Sequence, residues 1–457
     1  MAEGALSSAF IPVFNKSLVE DPSRVKNNRL FNKVFSFQIA VIIPFCIICA
    51  IFAIPIVSKI ISEFDTPEKI SLSASLFRWF IFYLLFISLA ATVMAALNTH
   101  GNFVVPAITP VLLSICVISS LLLLQKHLGV YAMVVGILVG GAAQLFFQLP
   151  WLKKERYSIK PDFNFKDEQF KIVIRNWLPV LMTSSVFTIT NFISNRFASG
   201  LEVGSISALS YSIIIFQLPY GIFFNSVSAV LFPKMSRQFS DNNKTGLRDT
   251  LQYGIRFLLV LLLPSTIALC CLGDELIGVL YMRGEFSYED TILAAKTLNG
   301  YAIGLVFVGV YNFLVRFFFS SHDQKTPLIA AFGVGIVDVI LLLVLKETSM
   351  RVAGIALANS LAFALGTLFL LFIARKKAGG LNIKNIIITL LKVFITCALL
   401  FGLIKGMDLI ISDDYWLTGS FWKKLGILTF KGISSVLLIL LSYKLMKVEM
   451  FRRKKND

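Results

Sequence analysis

Apolar positions in this chain come in long unbroken runs, not with the period of an amphipathic helix or a half-buried strand. Twelve complete runs can be marked, at 34–61, 72–97, 103–124, 130–152, 172–198, 206–232, 253–280, 294–319, 327–345, 353–374, 386–411 and 425–446. Runs of about 20 residues match the hydrocarbon thickness of a bilayer when helical. Barrel strands would instead alternate over roughly ten residues. The pattern predicts an all-α polytopic membrane protein of about 12 complete transmembrane helices. A shorter apolar piece, residues 2–14, precedes them as an N-terminal half-helix. It is too short to cross, and a crossing geometry would leave Glu3 at membrane depth. Two readings stay open: it is the second half of a hairpin, with about one and a half segments expected upstream, or it lies along the membrane interface.

Polar connections between the runs alternate in charge. One set carries Lys16, Arg24, Lys26, Arg29 and Lys33, then Lys153, Lys154 and Arg156, then the basic stretch 234–248, then Arg375, Lys376 and Lys377, then the tail with Arg452, Arg453, Lys454 and Lys455. Basic loops stay on the cytoplasmic side, which predicts a cytoplasmic C-terminus and places residues 283–286 outside.

Composition sharpens this picture. The 457 residues are 56% hydrophobic and only 15% charged, against about 25% charged in a soluble protein. The net charge of +17 sits in short loops, so a nucleic-acid partner is excluded. All six cysteines fall inside apolar runs. Cys46 and Cys49 form a C-x-x-C, but no second pair or nearby histidine completes a metal site. His100, His127 and His322 are scattered. Asp413 and Asp414 are adjacent carboxylates with nothing near them to complete a catalytic site, so no enzyme is expected.

An internal repeat is visible. Pro106 and Pro327 each open a segment after a polar connection. Each segment is followed by a short loop, a Gly/Ala-rich span and a basic cluster at Lys153 or Arg375. The copies lie an even number of segments apart, which makes them parallel repeats, a transporter signature. The implied division is a first lobe at 1–155, a six-helix lobe at 156–380, and an additional helix pair with a basic tail at 381–457.

Five motifs in order then become specific. Ala2-Glu-Gly-Ala-Leu-Ser-Ser-Ala-Phe-Ile-Pro12 is the first. The others are centred on Asn98 with Pro106, on Gln144, on Arg283-Gly284-Glu-Phe286, and on Arg316 with Asp323 and Pro327. Together they resemble the MurJ/MviN family of lipid II flippases, within the multidrug/oligosaccharidyl-lipid/polysaccharide exporter superfamily. The resemblance implies two pseudo-symmetric lobes around a central cavity, with a C-terminal helix pair at 386–411 and 425–446. It implies a bacterial cytoplasmic (inner) membrane protein that flips lipid II by alternating access. Its partners would be the lipid-linked substrate, membrane lipids, and other cell-wall synthesis and division proteins. No cofactor or metal is implied beyond Na+ or H+ coupling. Two alternatives stay open: a flippase or antiporter for another polyprenyl-linked glycan, drug or ion, and a transport-inactive truncated member or scaffold.

The resemblance also assigns residues. Glu3, Arg78, Arg196 and Ser207 are the candidate substrate-binding side chains, because arginine suits a pyrophosphate. The family pattern Y-A-D-R-x4-P reads here from Tyr211 to Pro219 with Ile213 and Ile214 at the acid and arginine positions. Arg256 and Arg316 lie near segment ends expected at the cytoplasmic interface, where long cations snorkel. Asp338 sits mid-run, where an acid is functional by default, and Asn191 and Asn359 are expected to complete an ion site with it.

Overall fold

The computed structural model describes residues 25–321, 323–411 and 420–448, with the backbone alone over 176–187. The described elements are all helical: α1 Val25–Ile51, α2 Ala53–Ile56 with a following π-turn Val57–Ile61, α3 Pro67–Phe80, α4 Tyr83–Thr99, α5 Val104–Leu128, α6 Tyr131–Lys154, α7 Glu168–Ser199, α8 Ser205–Ser240, α9 Lys244–Tyr281, α10 Tyr288–Ser320, α11 Lys325–Leu345, α12 Arg351–Lys377, α13 Ile383–Ile410 and α14 Phe421–Leu445. Eleven spans among the described residues, α3 and α4 counting as one, are long and apolar enough to cross a membrane. The run at 172–198 is helical as α7, described by its backbone alone over 176–187. The half-helix at 2–14, with Glu3, lies outside the described residues.

Two boundaries depart from the hydropathy pattern for identifiable reasons. The chain is already helical at Val25, the first described residue, inside the expected basic loop, and Asn27, Asn32, Lys33 and Ser36 are buried by protein there. The stretch 234–248 is almost entirely helical. Helices α8 and α9 are separated only by residues 241–243, and the Asn243 side chain caps α9 by accepting the Gly246 N–H at 2.8 Å.

The chain divides into two compact units, residues 1–189 and 190–457. In the first, Leu30, Phe31, Val93, Ala96 and Leu97 form a shared core between α1 and α4. Helices α5 and α6 meet through Gly136, where an added Cβ would lie 2.8 Å from Val117 Cα. Small residues are how membrane helices approach closely. Buried amides stitch the same helices. Gln144 donates to the Thr109 carbonyl at 3.2 Å, and Gln38 donates to Ser88 Oγ at 3.0 Å while accepting from Thr92 Oγ1 at 2.8 Å.

In the second unit α10 is the hub. Leu305, Phe313, Leu314 and Phe317 along it are fully enclosed. Its contact with α12 is as close as backbones allow. At Gly300 a Cβ would come 2.7 Å from the Ala353 carbonyl oxygen, and Ser360 Oγ donates to the Gly300 carbonyl at 2.6 Å. The pair α13 and α14 packs on α9 through Val260, Val393, Cys397 and Tyr443, with the Tyr443 hydroxyl donating to the Val260 carbonyl at 2.6 Å.

Candidate functional site

Helices α11 and α12 are antiparallel neighbours in the second unit, and the tight α10–α12 seam fixes where α12 presents its side chains. One residue before the serine at that seam, Asn359 reaches across to α11. Its Nδ2 donates to Asp338 Oδ2 at 3.1 Å. Asp338 is 1% exposed, and its Oδ1 is buried with no hydrogen-bond partner among the described residues. A carboxylate in this setting carries one neutral amide and one orphaned oxygen. Deep burial disfavours the bare anion. The Asn359 amide carries an oxygen as well as the N–H, so two oxygen-bearing side chains meet on adjacent helices. Asn191 is exposed on α7, where its carbonyl accepts from Asn195 Nδ2 at 3.0 Å. No hydrogen bond joins it to Asp338 or Asn359 among the described residues. An apolar groove of about 250 Å³ runs along the same two helices, lined by Ile329, Gly333, Val337, Leu365 and Phe369.

A second buried cluster was not anticipated. Lys431 of α14 is 1% exposed. Its ammonium donates to Glu275 of α9 and, at 2.7 Å, to Asp408 Oδ1 of α13. Lys405 donates to the other Asp408 oxygen at 3.0 Å. Two carboxylates and two ammonium groups thus close a neutral network over three helices. The signal lay in the sequence as a lysine inside the run 425–446 and a glutamate inside 253–280, but nothing there paired them.

The other predicted residues are scattered. Arg78 is exposed near the end of α3, its Nε donating to the Ala50 carbonyl at 3.3 Å. Arg196 is half-buried near the end of α7, and Ser207 is exposed in the first turn of α8. Ile214, at the position of the family arginine, is 51% exposed on α8.

The motif residues have clearer structural work. Asn98 ends α4, its carbonyl accepting the Gly101 N–H at 3.0 Å, and Pro106 is buried in the first turn of α5. Gly284 has φ of +62°, which glycine adopts without strain. That turn leaves Arg283 exposed and swings Phe286 onto Tyr211, with ring centroids 5.4 Å apart. The motif therefore braces α8 one turn from Ile214. Arg316 is exposed and lies 5.6 Å from the centre of the Phe232 ring. Asp323 caps α11 by accepting the Thr326 N–H at 3.1 Å and also accepts from Lys377 at 2.9 Å. Pro327 is buried in the first turn of α11.

Comparison with known proteins decides the family. A family model described as "Lipid II flippase MurJ" matches residues 1–426. The chain belongs to the MurJ family. A probable lipid II flippase MurJ of Borreliella burgdorferi is 30% identical over 458 residues, covering 100% of this chain and 89% of that protein. One from Rickettsia prowazekii is 31% identical over 403 residues, 87% of this chain and 78% of that protein. A solved lipid II flippase MurJ in an inward closed conformation superposes with a TM-score of 0.80 at 25% identity, covering 99% of this chain and 89% of that one. An inward-facing multidrug resistance MATE family transporter shares the fold at a TM-score of 0.68 and 14% identity.

Proposed function

We propose that this chain flips lipid II, the undecaprenyl-pyrophosphate-linked disaccharide-pentapeptide, across the bacterial inner membrane. The observation that carries this reading is the family match over residues 1–426 together with the whole-chain superposition on a lipid II flippase. The physical task fits a many-helix membrane protein. A pyrophosphate and sugars cannot cross hydrocarbon unaided, whereas an apolar tail stays in lipid while the headgroup passes through a polar path that opens to each side in turn. No covalent chemistry is involved, so the protein acts as a transporter and not as an enzyme. The basic connections, including the one at Lys153–Arg156, and the C-terminal tail face the cytoplasm in this reading.

Coupling is assigned to Asp338 and Asn359. A proton or Na+ at Asp338 Oδ1 neutralises the buried carboxylate and bridges α11 to α12, so its binding and release favour different helix arrangements. Arg78 and Arg196 remain the candidate headgroup cations.

The test is rescue of a bacterium depleted of its own lipid II flippase, read as growth and as lipid II reaching the outer leaflet. Rescue by the chain, and its loss in a similarly expressed Asp338→Asn variant, is the expected result. Normal expression and insertion of the chain with no lipid II reaching the outer leaflet would overturn the reading.

A further inference from the structure

Residues 155–167 join α6 to α7, and they do not loop free. The Asn28 Oδ1 accepts the Ser158 N–H at 3.2 Å, the Asn32 Oδ1 accepts the Lys160 N–H at 3.1 Å, and the Ser36 Oγ accepts the Asp162 N–H at 2.9 Å. The three acceptors are four residues apart on α1, a helical rise of about 6 Å per step. The three donors are two residues apart in an extended chain, about 6.6 Å per step. The repeats match, so one face of a helix reads alternate amides of a strand. Between the paired amides lie Ile159, which is exposed, and Pro161. Proline has no N–H to offer, and it occupies an alternate position where none is needed. It also biases Lys160 toward the extended backbone that the register requires.

Both ends of the segment are anchored. Tyr157 is buried, its hydroxyl 2.9 Å from His100 Nε2 and its ring 5.6 Å from that of Phe31. Phe165 packs its ring 5.6 Å from Phe37. Lys33 Nζ lies 2.8 Å from Asp167 Oδ2, and Asp167 Oδ1 accepts the N–H groups of Gln169 at 3.0 Å and Phe170 at 3.2 Å. Asp167 is therefore the N-cap of α7, the helix that starts in the first unit and ends in the second.

We propose that Asn28, Asn32 and Ser36 form a strand-reading ladder that clamps residues 157–167 onto α1 as a strap, and that Lys33, through Asp167, ties this strap to the start of α7. Helix α1 then sets the position of the first turn of α7. Lys33 is buried to hold that tie and does not extend into a solvated basic loop.

Hydrogen exchange resolved to single amides, on the full chain in lipid nanodiscs, tests this. Ser158, Lys160 and Asp162 should exchange slowly while Ile159 exchanges fast. Asn32→Ala should speed Lys160 by about five- to tenfold, the scale of one hydrogen bond. Asn32→Asp keeps an acceptor oxygen and should leave Lys160 slow. Lys33→Met should speed Gln169 and Phe170 without touching the α5 amides, which report global unfolding. Equal rates at Ile159 and Lys160 in the unaltered chain would overturn the ladder. So would an Asn32→Asp variant as fast as Asn32→Ala. Unchanged Gln169 and Phe170 in Lys33→Met would overturn the tie to α7.

Discussion

The second unit buries acids at two places, and they are solved in opposite ways. At Asp338 the carboxylate meets one neutral amide and keeps an orphaned oxygen. At Lys431 the carboxylates of Glu275 and Asp408 are bridged by an ammonium group, and Lys405 completes the charge balance. The first arrangement has no cationic side chain bonded to its carboxylate among the described residues, and under the proposed coupling a proton or a metal ion would fill that role. The second carries its own cation, the Lys431 ammonium held between Glu275 and Asp408. Burial alone therefore does not mark a functional acid in a membrane helix. What marks it is burial without an internal counter-charge. The positions agree with this division. Asp338 and Asn359 link α11 to α12, while the lysine network fastens α13 and α14 to α9.

Removing the internal cation should produce the largest effect. Lys431→Met leaves the buried Glu275 carboxylate without its ammonium partner, and breaking a buried pair from one side costs about 3–5 kcal/mol. Thermal unfolding in detergent should show a large drop in midpoint. Adding Glu275→Gln and Asp408→Asn to Lys431→Met should restore most of it, because a set of neutral side chains no longer needs a counter-ion. If the triple variant is as unstable as Lys431→Met, the network is valued for its shape and not for its charge balance. Asp338→Asn should behave in the opposite sense. It removes a buried ionisable group that has no counter-charge, so the melting midpoint should hold or rise, while any Na+ or pH dependence of transport disappears. A large loss of stability would make Asp338 a structural residue like Glu275.

This contrast explains what could be read from the sequence. The spans were legible because an apolar run long enough to cross a bilayer has few other uses, and Asp338 stood out as an acid inside one. The family motifs at Asn98, Arg283 and Asp323 were legible as motifs, though their roles as helix end, glycine turn and helix cap emerge only from the fold. The Lys431 network was hidden because its members lie on three helices far apart in sequence, and nothing in one sequence pairs Glu275 with Lys431. Helix α1 was placed too late for a related reason. Asn28, Asn32, Lys33 and Ser36 look like a solvated loop, yet their polar groups are satisfied by residues 158–167, which pattern alone does not bring near.

An intermediate effect is expected at the seam that carries Asn359. Gly300→Ala places a methyl group 2.7 Å from the Ala353 carbonyl oxygen, so α10 and α12 must separate. Overpacking of this kind costs about 1–3 kcal/mol. Because Ser360 donates to the Gly300 carbonyl, Asn359 moves with the shift, and the variant should lose cation dependence as well as stability. Gly333→Ala, on the neighbouring helix, meets nothing within 4 Å and should change neither. A loss of stability with unchanged cation dependence would show that Asn359 is not positioned through this seam.

The smallest effect belongs to an ion pair outside the spans. Burial at Asp323 alone would raise its pKa, but the Thr326 N–H and the Lys377 ammonium outweigh that and hold the carboxyl below its usual value. A carboxyl depressed in the folded state adds stability above the unfolded-state value of about 4. That contribution is lost as pH falls through the folded-state value beneath it. Asp323→Asn should therefore be slightly less stable than the unaltered chain at pH 5–8, by at most about 1 kcal/mol because both partners are partly solvated. The two curves of melting midpoint against pH should converge as pH falls through that folded-state value. Lys377→Met should follow Asp323→Asn in sign and be smaller, since the cap to the Thr326 N–H survives it. Asp323 thus lies between the two buried clusters of the second unit, with a partial counter-charge of its own and solvent supplying the rest. A Lys377→Met loss as large as that of Lys431→Met would refute the burial argument that separates them.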